Sequence, residues 1–194
     1  MKYRVGIDEA GRGPLAGPVS IGVVKVKEGF DKKFLKGIRD SKKLNEKTRE
    51  EWFKKVLVAQ KAGELDFQVA LISEKIIDKR GIVYAINLGI KKCLDKLNLK
   101  PSVTKIFLDG SLKAPKEFKY QKTIIKGDEK VGIISLASIM AKVTRDKKMV
   151  GLSKKFPEFS LDIHKGYGTK LHREAIKTYG PSKCHRKSFI KSLV

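Results

Sequence analysis

The feature that most constrains this chain is an apolar strand that leads directly into two adjacent acids. Residues 3–7 have the composition of a buried strand, and Asp8 and Glu9 follow at once. Uncompensated negative charge at such a low-dielectric strand end is costly, and a divalent cation is the simplest compensation. Neighbouring strand side chains face opposite sides, so both acids aim inward only if the strand ends there. The alternative is an acid pair that caps a turn.

A glycine-rich segment follows the two acids. Gly11 and Gly13, with Gly17 beyond them, superficially resemble a dinucleotide fingerprint, but that motif must open a helix. Here 18–26 has the pattern of a second strand, which excludes a Rossmann site. We expect a loop whose backbone N–H groups can approach a phosphate or sugar closely, with Arg12 beside them. An ordinary connection between two strands is the alternative.

Two later strands also lead into acids. The segment 103–110 closes on Asp109, and the segment 119–126 leads to Asp128. Strands that alternate with helices predict a central, partly parallel sheet whose strand ends carry the site. Carboxylates that converge from separate strand ends favour metal-dependent phosphodiester hydrolysis, with two cations about 3.5–4 Å apart. The candidate ligands for Mg²⁺ or Mn²⁺ are Asp8, Glu9, Asp109 and Asp128.

The rest of the pattern predicts an α/β fold in one domain, 1–194, with a small C-terminal loop-and-helix part at about 157–194. Helices are predicted at 46–62, 82–97, 132–156 and 171–179, and a further strand at 64–72. Cys93 falls on a buried helix stripe, and Asp146 is expected to pair with Lys142 one helical turn away. Arg145 is placed on a polar helix face with Lys142, and Arg186 in a basic tail.

The charge of the chain indicates a polyanionic partner. Lys and Arg number 44 against 21 acids, for a net charge of +23. Nucleic acid is the first candidate, because the basic residues are spread along the chain rather than gathered in one membrane-binding segment. We expect no membrane association, since no apolar run is long enough to span a bilayer. Cys93 and Cys184 match no metal-ligand spacing, which predicts reduced thiols in a cytoplasmic protein.

Two further segments are candidates for substrate contact. Ser41, Lys42 and Lys43 form a basic turn that either meets substrate phosphates or is merely solvated. Tyr167 stands between two glycines, where its ring can stack on a base or sugar, or else anchor its own loop. The three histidines show no zinc-ligand spacing.

Six segments together resemble type 2 ribonuclease H, the ribonuclease HII family, in the order of that family's motifs. The most specific are GIDEAGRGP at 6–14, DSKKL at 40–44 and HKGYGT at 164–169. The others are LDG at 108–110, KGD at 126–128 and ASIMAKVTRD at 137–146. The matching segments span nearly the whole chain.

The resemblance implies a ribonuclease H-like fold with a small C-terminal helical extension. It also implies cleavage of RNA in RNA–DNA hybrids, and cleavage 5′ to a lone ribonucleotide in duplex DNA, leaving 3′-OH and 5′-phosphate ends. The four acids match the family's metal-binding set residue by residue. The elements that recognise the ribose at the junction correspond to Gly11, Arg12, Gly13 and Tyr167, and the phosphate contacts to Ser41, Lys42 and Lys43.

Two other functions stay open on the sequence. One is a different metal nuclease of the same fold, such as a type 3 ribonuclease H or a junction resolvase. The other is a non-catalytic RNA–DNA binding module, although four acids would weaken binding to a polyanion. We expect a monomer in either case.

Overall fold

One mixed sheet of five strands is present in the computed structural model, which describes residues 1–38 and 44–193. Its order is β3-β2-β1-β4-β5, with β1, β2 and β3 antiparallel and β1, β4 and β5 parallel. This confirms the predicted fold class. The strands are β1 Tyr3–Ala10, β2 Val19–Lys27, β3 Leu65–Ile72, β4 Thr104–Asp109 and β5 Gln121–Ile124.

Helices cover both faces of the sheet. The helix α3 packs on one face, whereas α1 and α5 pack on the other. Asn45 caps the start of α1 by accepting a hydrogen bond from the Thr48 N–H at 2.9 Å. The helices are α1 Glu46–Lys61, α2 Glu74–Arg80, α3 Ile82–Lys96, α4 Gly127–Lys130, α5 Gly132–Ser153, α6 Leu161–His164 and α7 Lys170–Tyr179.

The long helix α5 lies unusually close to β1 and β2, and two glycines allow this. A Cβ atom at Gly6 would lie 2.2 Å from the carbonyl oxygen of Ile133, and one at Gly22 would lie 2.2 Å from that of Ala137. Any larger residue would therefore push the helix away from the sheet. The close packing holds the next turns of α5 directly over the end of β1.

The C-terminal part of the chain packs around the far end of α5. Phe159, Ile176 and Ile190 are each 1% exposed and form a third core cluster with Met149 and Ala16. Ala16 belongs to the loop between β1 and β2, and it pairs with His185 in an isolated antiparallel bridge. The C-terminal part is thus attached to the loop that follows the two acids.

The predictions on one ion pair and on the cysteines are confirmed. Lys142 Nζ lies 2.9 Å from Asp146 Oδ1, as the four-residue spacing predicted. Cys93 is buried in the core, and both cysteines are free thiols. Within the described part of the chain, no helix is both long and apolar enough to cross a membrane.

Three local predictions are wrong. The strand β1 continues through both acids to Ala10, because its ladder with β2 is unbroken as far as the Ala10–Ser20 pair. The strand β5 ends at Ile124, and Asp128 lies in the short helix α4 rather than at a strand end. Arg145, predicted on a polar helix face, and Arg186, predicted in a basic tail, are instead fully buried, and their guanidinium groups bind backbone carbonyls inside the protein.

Candidate active site

Two neighbouring parallel strands bring Asp8 and Asp109 together. The ladder between β1 and β4 ends at the pair Ile7 and Leu108, and the two aspartates occupy the next position on each strand. Adjacent strands are about 4.8 Å apart, and equivalent positions share a face. Gly6 faces α5, so Asp8, two residues later, faces α5 as well. Glu9, the next residue of β1, lines the same cavity as both aspartates.

Asp8 is the most strongly perturbed acid of the site. Its side chain is 3% exposed, and burial raises its pKa well above the ordinary value. A hydrogen bond from Ser138 opposes this effect, whereas the negative charges of Asp109 and Glu9 raise the pKa further. Asp8 Oδ1 also accepts a hydrogen bond from the Glu9 N–H at 2.7 Å. Three acids in a poorly solvated place favour a cation among them.

The fourth predicted acid has a different environment. Asp128 is completely buried and does not line the cavity in which the other three acids meet. The residue before it, Gly127, donates its N–H to Asp109 Oδ1 at 2.6 Å, and Ser135 donates to the Asp128 carbonyl. The structure therefore places Asp128 next to the residue whose N–H binds Asp109, and outside the lining of the cavity.

Most of the predicted site residues line one cavity of about 410 Å³. Arg12 is exposed at its edge, with Nη1 3.7 Å from Glu9 Oε1. The predicted residues that line it are Asp8, Glu9, Gly11, Arg12, Gly13, Asp109 and Tyr167. The predicted phosphate contacts Ser41, Lys42 and Lys43 lie outside the described residues.

Three further polar side chains line the same cavity and were not assigned to a site from the sequence. Ser138 and Lys142 are one turn apart on α5, and Arg49 lies in the first turns of α1. The four-residue spacing indicated a shared helix face, but only the close packing of α5 over β1 shows that this face meets the acids. Lys142 and Arg49 add positive charge to a cavity that holds three carboxylates.

The donor set fits a divalent cation. Carboxylate oxygens are the ligands that Mg²⁺ and Mn²⁺ prefer, and Mg²⁺ commonly binds through one or two carboxylates together with substrate phosphate. Among residues 1–38 and 44–193, no three His, Cys, Asp or Glu side chains form a group that could hold a metal ion by themselves. The protein residues would therefore supply only part of a coordination shell, and substrate oxygens and water would supply the remainder.

The loop that carries Tyr167 is fixed through its backbone and leaves the ring exposed. The Tyr167 N–H donates to the His164 carbonyl at 2.9 Å, and its carbonyl accepts from the Thr169 N–H at 2.8 Å and from His172 Nδ1 at 2.9 Å. The ring is 44% exposed, and Lys142 Nζ lies 5.9 Å from its centre. The aromatic face is thus held at the cavity without being packed into the core.

Three buried histidines support this loop, and their hydrogen bonds define their tautomers. His172 donates from Nδ1 to Tyr167, so its Nε2 accepts from His185 Nε2 at 3.0 Å. His185 Nδ1 then accepts from the Ser182 N–H. His164 donates from Nε2 to the Phe159 carbonyl and accepts from the Gly166 N–H. All three imidazoles are neutral in this network.

This network predicts loss of stability in acid. Burial lowers the pKa of His172 and of His185 to about 4, and it also lowers the pKa of His164. The unfolded chain protonates near pH 6.5 whereas the native chain resists protonation, so the free energy of unfolding should fall as the pH decreases from 6.5 to 4. His172 and His185 should each contribute at most about 3 kcal/mol to this fall in the free energy of unfolding.

Urea unfolding at several pH values between 8 and 4 measures this effect. His185→Gln provides the comparison, because glutamine keeps an N–H donor but does not titrate. The variant should lose less stability than the wild type over the same interval. Equal losses in the two proteins would contradict a contribution from His185.

Comparisons with known proteins agree with this geometry. A family model described as Ribonuclease HII matches residues 5–192. The ribonuclease HII of Caldicellulosiruptor bescii is 41% identical over 193 residues, which cover 100% of this chain and 89% of that protein. The structure of ribonuclease H2 from Pyrococcus horikoshii OT3 has a TM-score of 0.74 and 32% identity, covering 98% of this chain and 96% of that one.

A more distant structure shares the fold. Bst-RNase HIII in complex with Mn²⁺ has a TM-score of 0.71 at 18% identity, covering 97% of this chain and 67% of that one. The family match extends over nearly all of the present sequence and includes every segment that carries the cavity. The chain therefore belongs to the ribonuclease HII family of metal-dependent endoribonucleases.

Proposed function

We propose that this protein hydrolyses the RNA strand of RNA–DNA hybrids and incises 5′ to single ribonucleotides in duplex DNA, leaving 3′-OH and 5′-phosphate ends. Such an activity would begin ribonucleotide excision repair. The observation that carries the proposal is the cavity at the ends of β1 and β4, where three carboxylates, a glycine loop and an exposed tyrosine meet. The net charge of +23 supports a polyanionic substrate.

The acids would hold two divalent cations, Mg²⁺ or Mn²⁺, with Asp8, Glu9, Asp109 and Asp128 as the ligand set. When bound, the cations supply an activated water and charge stabilisation for an in-line phosphodiester displacement. The protein's own contribution is to hold the carboxylates together in a poorly solvated place. Ser138 orients Asp8 through a hydrogen bond, and the Gly127 N–H orients Asp109.

Recognition of the ribose would depend on other residues that line the same cavity. The segment Gly11, Arg12 and Gly13 brings backbone groups close to the site, and the Tyr167 ring provides a flat apolar surface. Only the 2′-OH distinguishes a ribonucleotide from its deoxy neighbours, so a close backbone approach is required. The ring would stack on the sugar next to the ribonucleotide.

The proposal also concerns the domain organisation, the oligomeric state and the location of the protein. We propose that residues 1–194 act as one ribonuclease H-like domain, in which the part from about 157 to 194 contributes to substrate binding through Tyr167. We further propose that the protein is a monomer and acts in the cytoplasm. Ser41, Lys42 and Lys43 would contact phosphates of the duplex.

Gel analysis of a labelled DNA duplex with one embedded ribonucleotide tests the function. Incubation with Mg²⁺ or Mn²⁺ should give one product with a 3′-OH end at the bond 5′ to the ribonucleotide, and excess EDTA should abolish it. A matched all-DNA duplex should remain intact. Binding without cleavage in either metal would instead indicate a non-catalytic binding module.

Salt dependence tests the role of the basic residues. We expect log affinity for the duplex to fall linearly with log salt, by about 0.9 for each phosphate contact. Lys42→Ala and Lys43→Ala should each remove one phosphate contact and so reduce the steepness of the slope by about 0.9. Neither change should alter which bond is cut. Lys91→Ala, on the exposed side of α3, is the control and should leave the slope unchanged. An affinity that does not depend on salt would contradict the proposed duplex contacts.

A further inference from the structure

Two arginines are completely buried next to the glycine loop. Arg145 on α5 and Arg186 near the C-terminus each have 0% exposure. Among the described residues their six hydrogen bonds all go to backbone carbonyls, three from each guanidinium. Burying a guanidinium is costly, and it lowers the pKa of Arg186 to about 9. Hydrophobic packing does not explain why a guanidinium is buried, so the burial of these two arginines requires another reason.

The carbonyls that Arg186 binds belong to the glycine loop. Its Nη2 donates to Gly11 at 2.7 Å, its Nη1 to Arg12 at 2.9 Å, and its Nε to Gly17 at 2.9 Å. The first two carbonyls lie in the segment that lines the candidate active site. One planar guanidinium therefore fixes two consecutive peptide groups of the recognition loop.

The planarity of the peptide bond gives this contact a consequence for the cavity. The Gly11 carbonyl shares a rigid plane with the Arg12 N–H, and the Arg12 carbonyl shares one with the Gly13 N–H. In a trans peptide the C=O and N–H bonds point in opposite directions, and this chain has no cis peptide bond among its described residues. With both carbonyls turned to the buried Arg186, the two N–H groups face away from it.

Arg145 joins the glycine loop to the Tyr167 loop. Its Nε donates to Pro18 at 2.9 Å and its Nη2 to Ala16 at 3.1 Å, whereas its Nη1 donates to Lys165 at 2.9 Å. Its guanidinium carbon lies 5.9 Å from the centre of the Tyr167 ring. The same guanidinium thus contacts both elements that would recognise the substrate.

Close packing allows little freedom between these groups. Gly11 has φ +84°, and a Cβ atom there would lie 1.9 Å from Arg145 Nε. The Leu15 N–H donates directly to the Gly166 carbonyl at 2.8 Å, so the two loops are also hydrogen-bonded to each other. A shift of either guanidinium would therefore move the glycine loop relative to Tyr167.

We propose that Arg186 and Arg145 are positioning residues for substrate recognition. Arg186 aims the Arg12 and Gly13 N–H groups at the substrate, and Arg145 fixes their distance from the Tyr167 ring. Neither arginine touches the reacting phosphate. Together they determine which bond of an RNA–DNA junction lies at the acids, and this inference rests on the proposed function.

The test uses Arg186→Lys and Arg145→Lys in the full chain. Lysine keeps the positive charge and much of the aliphatic stem but cannot bind three carbonyls in one plane. The substrate is a duplex in which a short RNA segment continues into DNA on one strand, so that several bonds compete for cleavage. The readout is the ratio of product from the principal bond to product from all other RNA bonds. Arg173→Lys, an exposed change on α7, is the matched control.

We expect each buried variant to reduce this ratio at least tenfold, because a misplacement of about 1 Å can cost about a hundredfold in rate. The control should keep the wild-type ratio. Circular dichroism and a thermal melt establish that each variant is folded at the assay temperature. A merely structural role would lower the amount of active protein without changing which bond it cuts.

The experiment distinguishes failure of the proposed function from failure of the positioning role. A wild-type protein that cuts no bond of this duplex would overturn the proposed function itself. An unchanged ratio in both folded variants, with the wild type active, would overturn the positioning role alone. Loss of the fold in both lysine variants would assign the arginines to stability and would overturn the positioning role as well.

Discussion

Asp109→Asn is expected to reduce RNA cleavage by at least about a thousandfold while leaving the fold intact. A charged cation ligand contributes several kcal/mol to catalysis of phosphodiester cleavage, and about 4 kcal/mol corresponds to a thousandfold in rate. The fold should survive because asparagine keeps the Oδ1 atom that accepts the Gly127 N–H at 2.6 Å. The change also removes one of the negative charges that raise the pKa of Asp8.

The measurement compares single-turnover cleavage with binding. Affinity for an RNA–DNA hybrid should change less than about threefold, because basic contacts to phosphates dominate binding. Asp95→Asn removes the same charge from an exposed ion pair with Lys91, and it should leave the rate unaltered. Near wild-type cleavage by Asp109→Asn would exclude this acid from the metal site.

The acids and the glycine loop could be predicted from sequence because their signal is local. An apolar strand that runs into Asp8 and Glu9, followed by Gly11 and Gly13, indicates both the candidate acids and the glycine loop within eleven residues. The same holds for Asp109 at the end of β4. Such patterns depend on the period of a strand and on the turn residues that follow, which a single segment contains.

Other parts of the site depend on contacts that are distant in sequence. Arg145 binds Pro18 across 127 residues, and Arg186 binds Gly11 across 175 residues. No local pattern distinguishes these arginines from the many solvated basic residues of a chain with 44 Lys and Arg. Their burial follows only from how α5 and the C-terminal part pack around the glycine loop.

The continuation of β1 through both acids has a similar origin. The sequence predicts a strand end at Asp8 and Glu9, because neighbouring side chains of a strand face opposite sides and both acids can aim inward only where the strand ends. In the structure, only the ladder with β4 stops there, after Ile7, whereas the ladder with β2 runs on to Ala10. The site therefore lies on the β4 side of β1, where the pairing stops while the strand itself continues. The sequence of β1 alone does not show which strands pair with it.

The environment of Tyr167 distinguishes two possible roles of its ring, which are to anchor its own loop or to contact substrate. If the ring anchored the loop, it would be packed into the core, but it is 44% exposed. The loop is instead held through the Tyr167 backbone, whose N–H donates to the His164 carbonyl and whose carbonyl accepts from the Thr169 N–H and from His172 Nδ1. Removal of the ring should therefore leave the loop in place, and a loss of activity that differs between substrates should report a contact of the ring with substrate.

Tyr167→Ala is accordingly expected to act on one substrate more than on another. Loss of a stacking contact is worth about 1–3 kcal/mol, or about ten- to a hundredfold in rate. The loss should fall on a single-ribonucleotide junction, where the ring would stack on the neighbouring deoxyribose, more than on a uniform hybrid, where a ribose occupies that place. Tyr167→Phe keeps the ring and should behave like the wild type. The decisive measurement is the ratio of junction cleavage to hybrid cleavage, and an unchanged ratio in Tyr167→Ala would assign the ring a structural role.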